Sequence, residues 1–181
     1  KEWVSQGYIV LGINHTYEST GSTFPEGNEA YFDYAYAAQI EAGSWEKIQP
    51  AIQTFRDGMD FEARHPLVQE ALKNYFVKTM IERWALDIVD VAHSVADWNK
   101  SGFFKNRLDV SKLGVLGHSR GGGAAGEALL MEPKLKAAAN IDGVQWGQIV
   151  DTAFTKPFLY LSSDWPASHE NLNQHAYINK S

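Results

Sequence analysis

A serine hydroxyl attacks an acyl carbon only when it is held clear of its surroundings and a base can take its proton. Residues 117–121 read Gly-His-Ser-Arg-Gly. This is the G-x-S-x-G spacing of a nucleophile elbow, in which the serine occupies a sharp, strained turn between a strand and a helix. The flanks suit that turn: the apolar Leu113–Leu116 precedes it, and the small residues from Gly121 to Gly126 follow it. Glycine at 117 and 121 is expected to remove side chains that would collide with the neighbouring strand and helix. Ser119 is therefore the candidate nucleophile of an acyl transfer. The backbone N–H of Arg120, at the start of the following helix, is the candidate donor to the oxyanion, assisted by the helix dipole.

A nucleophilic serine needs a base, and the base needs an orienting carboxylate. Two aspartates follow Ser119 at predicted strand ends, Asp142 in Asn-Ile-Asp-Gly and Asp164 in Ser-Ser-Asp-Trp. Either could instead cap a turn, the commonest work of an aspartate just beyond a strand. The base is harder to place. His169 and His175 lie soon after Asp164 in a polar stretch and read as surface residues. His118 adjoins the nucleophile but points away from it, because side chains alternate along a strand. His15 is expected at a pocket rim. His65 and His93 read as helix-surface residues.

A second motif overlaps the first. Gly121–Gly126 matches G-x-G-x-x-G, and Asp142 follows 21 residues after Gly121, near the spacing of a dinucleotide-binding oxidoreductase domain. That pattern starts its glycines at the strand end and leaves residues 117–120 unexplained, whereas the elbow accounts for all of them. No His-Glu-x-x-His, calcium loop or phosphate-binding G-x-x-x-x-G-K occurs, so neither metal nor cofactor is expected.

The elements that must position these residues follow from the wider pattern. The chain has 181 residues, 44% hydrophobic and 21% charged, which suits one globular domain over 1–181. The net charge of -6 shows no basic stripe, which argues against nucleic acid. There is no cysteine, which removes disulfides and thiolate chemistry. Asn14, Asn99 and Asn179 begin Asn-x-Ser/Thr sequons, which would matter only in a eukaryotic secreted protein. The apolar run 7–13 predicts a buried strand, and residues 14–30 have loop composition. Residues 31–99 are mostly helical in pattern, with a helix opening near Pro66, a break near 78–84, and apolar residues from Leu67 to Trp98 at helical spacing. Leu113–Leu116, Leu135–Ile141 and Pro157–Ser162 read as further strands, with a helix over Gly121–Met131. Strands alternating with helices imply a parallel sheet.

From about residue 3 to 178 the chain resembles the plasma-type platelet-activating factor acetylhydrolases of the α/β-hydrolase superfamily. The resemblance is carried by Gly7-Tyr-Ile-Val through His15, by Leu113-Gly-Val-Leu-Gly-His-Ser-Arg-Gly-Gly, by Ala139-Asn-Ile-Asp142 and by Pro157-Phe-Leu-Tyr-Leu-Ser-Ser. The elbow wording is also similar to chlorophyllases, and Leu135-Lys-Ala-Ala-Ala resembles cutinase-like polyester hydrolases. The first resemblance implies Asp142 as the acid, while the last implies one near Asp164. Together they imply a mostly parallel sheet with helices on both faces, truncated at both ends, and a helical insertion over 26–90 acting as a lid or as plain cover. In such a fold the base follows a later strand, and the second oxyanion donor precedes residue 1. The expected activity is a serine esterase or lipase cleaving a small-molecule or lipid ester, with a companion chain or removed segment supplying the histidine and that donor. An inactive hydrolase-fold binding module is the rival expectation.

Overall fold

The computed structural model describes residues 1–42, 44–73 and 75–163. A one-turn helix α1 (Glu2–Ser5) leads into residues 7–13, and a short antiparallel hairpin follows, β1 (Gly21–Thr23) with β2 (Glu29–Tyr31). Four helices come next: α2 (Tyr34–Glu41), α3 (Ser44–Arg56), α4 (Phe61–Leu72) and α5 (Phe76–Trp98). The chain then alternates, β3 (Leu113–His118), α6 (Arg120–Met131), β4 (Leu135–Ile141) and β5 (Phe158–Leu161). β3, β4 and β5 form a parallel sheet in that order.

The long helix α5 follows from its pattern. Val77, Met80, Ile81, Ala85, Ile88, Ala92 and Val95 are buried and recur every three or four residues, so one stripe faces inward. That stripe packs on α6, whose Gly122–Leu129 face is wholly buried, and α6 in turn packs on β3 and β4. Ile48, Ala51 and Ile52 of α3 and Val68 and Leu72 of α4 join the same core as Leu135 and Ala138 of the sheet. The helical region over 26–90 thus shares one core with α6 and the inner sheet face.

The structure corrects several sequence expectations. Residues 7–13 form no strand, and Tyr8, Ile9, Val10 and Leu11 are exposed. An apolar run becomes a strand only where a neighbour pairs its N–H and C=O groups, and no described residue supplies that ladder. The loop stretch 14–30 contains the hairpin, turned by Gly27 at φ 85°. Pro66 lies inside α4, which begins five residues earlier because the Asp60 carboxylate accepts a hydrogen bond from Ala63 N (2.9 Å) as an N-cap. The expected break at 78–84 is absent, for α5 runs unbroken from Phe76 to Trp98. Leu67 is exposed, whereas Leu72 is buried as expected and Val68 joins it.

Among the described residues the helices cover one face of the sheet. Leu116, Ile141, Leu159 and Leu161, aligned by register on the other face, are exposed. The expectation of helices on both faces is thus met on one face within this span.

Candidate active site

β3 ends at His118 and α6 begins at Arg120, so Ser119 alone makes the turn between them. Its backbone adopts φ 54° and ψ -125°. Such a conformation costs a non-glycine residue about 1–3 kcal/mol and persists only where the surroundings enforce it. The enforcing contacts are visible. Ser119 N donates to Ile141 O at 2.8 Å, and Ser119 O accepts from Gly122 N and Gly123 N at 2.9 and 3.2 Å. The residue is exposed at the carboxyl end of the sheet. Arg120 is the first residue of α6, which places its N–H in the opening helical turn beside Ser119.

The steric roles of the glycines differ from those read off the motif. A Cβ at Gly117 would lie 2.0 Å from Gly121 O, so Gly117 is required as expected. A Cβ at Gly121 would meet nothing within 4 Å. The expected collision at 121 is absent because that position of α6 faces away from the strand. The tight contact falls one residue later: a Cβ at Gly122 would sit 2.0 Å from Asn140 Oδ1 and 3.0 Å from Gly117 O. Gly123 and Gly126 are pressed likewise against Val144 O and the Gln145 side chain. These contacts account for Gly123 and Gly126 of the G-x-G-x-x-G spacing as close packing of α6, with no nucleotide needed to explain them.

Asp142 lies beside this turn. β4 runs to Ile141, and Asp142 takes φ 57°, reversing the chain. Asn140, fully buried, holds the reversal: Gly143 N donates to its Oδ1 and its Nδ2 donates to Gly143 O, both at 2.8 Å. Gly143 brings the turn against Ser119, since a Cβ there would lie 2.0 Å from Ser119 O. Asp142 N donates to Leu161 O at 2.6 Å, and its carboxylate accepts Ser163 N at 2.9 Å and the Ser163 hydroxyl. Tyr160, next to Asn140 in the ladder, has a buried phenol oxygen without a hydrogen-bond partner among the described residues. Burial, and then the charge of Asp142, push that phenol above its ordinary value, so it stays protonated.

Among the described histidines, three carry carboxylate partners. His15 is half-buried, stacked on Trp84 with ring centroids 4.2 Å apart, and its Nδ1 lies 2.6 Å from Asp87. His65 pairs with Asp151 at 2.8 Å and His93 with the buried Glu132. His93 is exposed on α5 as expected of a helix-surface residue, whereas His65 is half-buried, and each pairs its helix with a neighbouring element. His118 is exposed on the sheet face. Asp164, His169 and His175 lie outside the described residues. No described cluster of His, Cys, Asp and Glu could hold a metal.

The sequence reading missed Asn140, Gly122, Gly143 and Ser163 as parts of this site. The wording Asn140-Ile-Asp-Gly143 held a signal, since Asn and Asp before Gly favour a turn closed by side-chain hydrogen bonds. Nothing local marks Ser163, whose role arises across strands.

Comparison with known proteins agrees with this geometry. Residues 1–179 match the family described as platelet-activating factor acetylhydrolase, isoform II. The chain belongs to this family. The platelet-activating factor acetylhydrolase of Gallus gallus is 25% identical over 189 aligned positions, covering 92% of this chain and 40% of that protein. A ferulic acid esterase from Streptomyces cinnamoneus shares the fold with a TM-score of 0.55 at 21% identity, over 93% of this chain and 38% of its own. The chain thus spans about two fifths of the length of the relatives it matches. As a member of the acetylhydrolase family it carries a parallel sheet consistent with the α/β-hydrolase fold in the segment described above.

Proposed function

We propose that this chain is the nucleophile-bearing part of a carboxylic ester hydrolase acting on lipid or acetyl esters by two-step acyl transfer. The observation that carries the reading is the Ser119 backbone, held at φ 54° and ψ -125° between β3 and α6. Such strain, enforced by close glycine contacts on both sides, has a purpose where a hydroxyl must be presented to a substrate.

Ser119 Oγ attacks the ester carbonyl as a histidine takes its proton. Asp142 orients that histidine and stabilises its positive charge. The Arg120 N–H and a second donor hold the oxyanion, each such donor lowering the barrier by about 3 kcal/mol. The histidine returns its proton to the departing alcohol, and water then releases the acid and regenerates Ser119.

The histidine and second donor come from residues beyond those described, in further polypeptide that also covers the bare sheet face. Support comes from the exposed Leu116, Ile141, Leu159 and Leu161, since parallel sheets are ordinarily buried on both faces. The acetyl ester follows from the family name, and a feruloyl-type ester from the structural neighbour. Asp164 remains the alternative acid, tested by comparing Asp142→Ala with Asp164→Ala.

The deciding experiment exposes the native protein to a fluorophosphonate and measures its intact mass. A single adduct, mapped to Ser119 and absent from Ser119→Ala, supports the hydrolase. No adduct, with the fold intact by circular dichroism, would make the protein a hydrolase-fold binding module.

A further inference from the structure

A triad carboxylate works only if its oxygen faces the imidazole N–H and stays there. Asp142 sits at the tip of a left-handed turn, exposed on one side, where a two-bond side chain would otherwise sample several rotamers. The turn itself is fixed by Asn140 and by Asp142 N on Leu161 O. Those contacts hold the backbone of the turn. Ser163, two residues past β5, contacts both carboxylate oxygens: its N–H donates to Oδ1 at 2.9 Å and its hydroxyl to Oδ2.

We propose that Ser163 is a positioning residue for the proposed reaction, clamping the Asp142 carboxylate through paired backbone and side-chain donors so that it faces the catalytic imidazole. The inference rests on the assignment of Asp142 as the triad acid. A carboxylate offers about four acceptor sites, so it can accept from Ser163 and from a histidine N–H together. Both donors sit at one end of the strand that neighbours β4, so the clamp also locks the carboxyl ends of β4 and β5 together. The hydroxyl supplies a second, charge-assisted bond that the backbone N–H alone does not replace.

The test uses the full-length protein with p-nitrophenyl acetate, following kcat and KM, together with the rate of Ser119 labelling by a fluorophosphonate. Ser163→Ala should lower kcat and the labelling rate by roughly ten- to a hundredfold, the worth of one hydrogen bond to a charged group, with KM within about twofold of the parent. Ser163→Thr keeps the hydroxyl and should restore most of the loss. In an Asp142→Ala background, Ser163→Ala should cost nothing further in labelling rate, because the group it positions is gone.

Parent-like kcat in Ser163→Ala, or no rescue by threonine, would overturn the clamp while leaving the Asp142 assignment standing. An equal loss with and without Asp142 would do the same, by making the effect merely structural. Parent-like activity in Asp142→Ala would overturn both the clamp and the acid assignment, so the two failures are distinguishable.

Discussion

Substituting alanine at the two adjacent glycines of α6 should have opposite effects. At Gly121 a Cβ meets nothing within 4 Å and the backbone is helical, so alanine adds no clash. It removes the entropy cost of a helical glycine, a gain of about 0.5–1 kcal/mol. At Gly122 the new Cβ would lie 2.0 Å from Asn140 Oδ1 and 2.7 Å from its Cγ. Asn140 is fully buried and cannot swing to solvent, so it must give up its two 2.8 Å hydrogen bonds to Gly143 or push α6 off the sheet. Two lost bonds and a buried amide left unsatisfied cost on the order of 3–5 kcal/mol. Set against the helix gain, the net loss is about 2–4 kcal/mol. For a domain of this size that lowers Tm by roughly 5–15 °C, while Gly121→Ala raises it by a few degrees. Thermal unfolding by circular dichroism reads both, and fluorophosphonate labelling shows whether Ser119 is still presented. A Gly122→Ala protein as stable as the parent, beside a crippled Gly121→Ala protein, would refute the steric argument and restore the plain motif reading.

Other consequences follow from the same packing. Ile81→Ala should cost about 2–5 kcal/mol by denaturant unfolding, because Ile81 is buried between α5 and the glycine face of α6. Glu132 is buried at the end of α6; burial works against its charge, but the Lys134 N–H and His93 outweigh it and hold its pKa below the usual 4.5. A depressed carboxyl pKa contributes stability above the unfolded value and loses it as pH falls through the folded one. Glu132→Gln should therefore flatten the fall in Tm below about pH 4.5, and an unchanged acid limb would count against this pairing. Glu18 accepts from both Arg83 and Trp84 Nε1, so Glu18→Leu should loosen residues 14–18 from α5, read as faster amide hydrogen exchange there and unchanged exchange in β4.

Much of the fold was legible because its signals are local. The strand-turn-helix around Ser119 is written in five consecutive residues, and β4 carries the bounds expected from its apolar run. The errors arose where a distant partner decides. Pro66 reads as a helix start, yet Asp60 caps the helix earlier. Gly121 reads as the crowded glycine because the motif names it, yet crowding depends on where Asn140 reaches from another strand. Ser163 carries no sign at all in its own neighbourhood, and its meaning comes from Asp142, 21 residues away across the β4–β5 ladder.

The run at 7–13 and the outer sheet face make one physical point together. Apolar sequence states a demand for burial, and hydrophobic free energy scales with the area removed from water, about 25 cal/mol per Å². Tyr8–Leu11 state that demand as continuously as Leu135–Ile141 do. Only the second set is organised as a strand, because β3 and β5 flank β4 and pair its backbone on both sides. A strand is thus a joint property of a segment and its neighbours, whereas α5 satisfies its backbone within itself and needs only a surface for one stripe. This difference explains why the helices around the site form within the described span while the apolar run before His15 does not become a strand. It also gives the proposed further polypeptide a measurable signature. Where such a partner is bound, amides 8–13 should gain hydrogen-exchange protection and Leu116, Leu159 and Leu161 should lose solvent contact. Residues 8–13 exchanging freely in a protein that labels fully at Ser119 would show that this run takes no part in the working site.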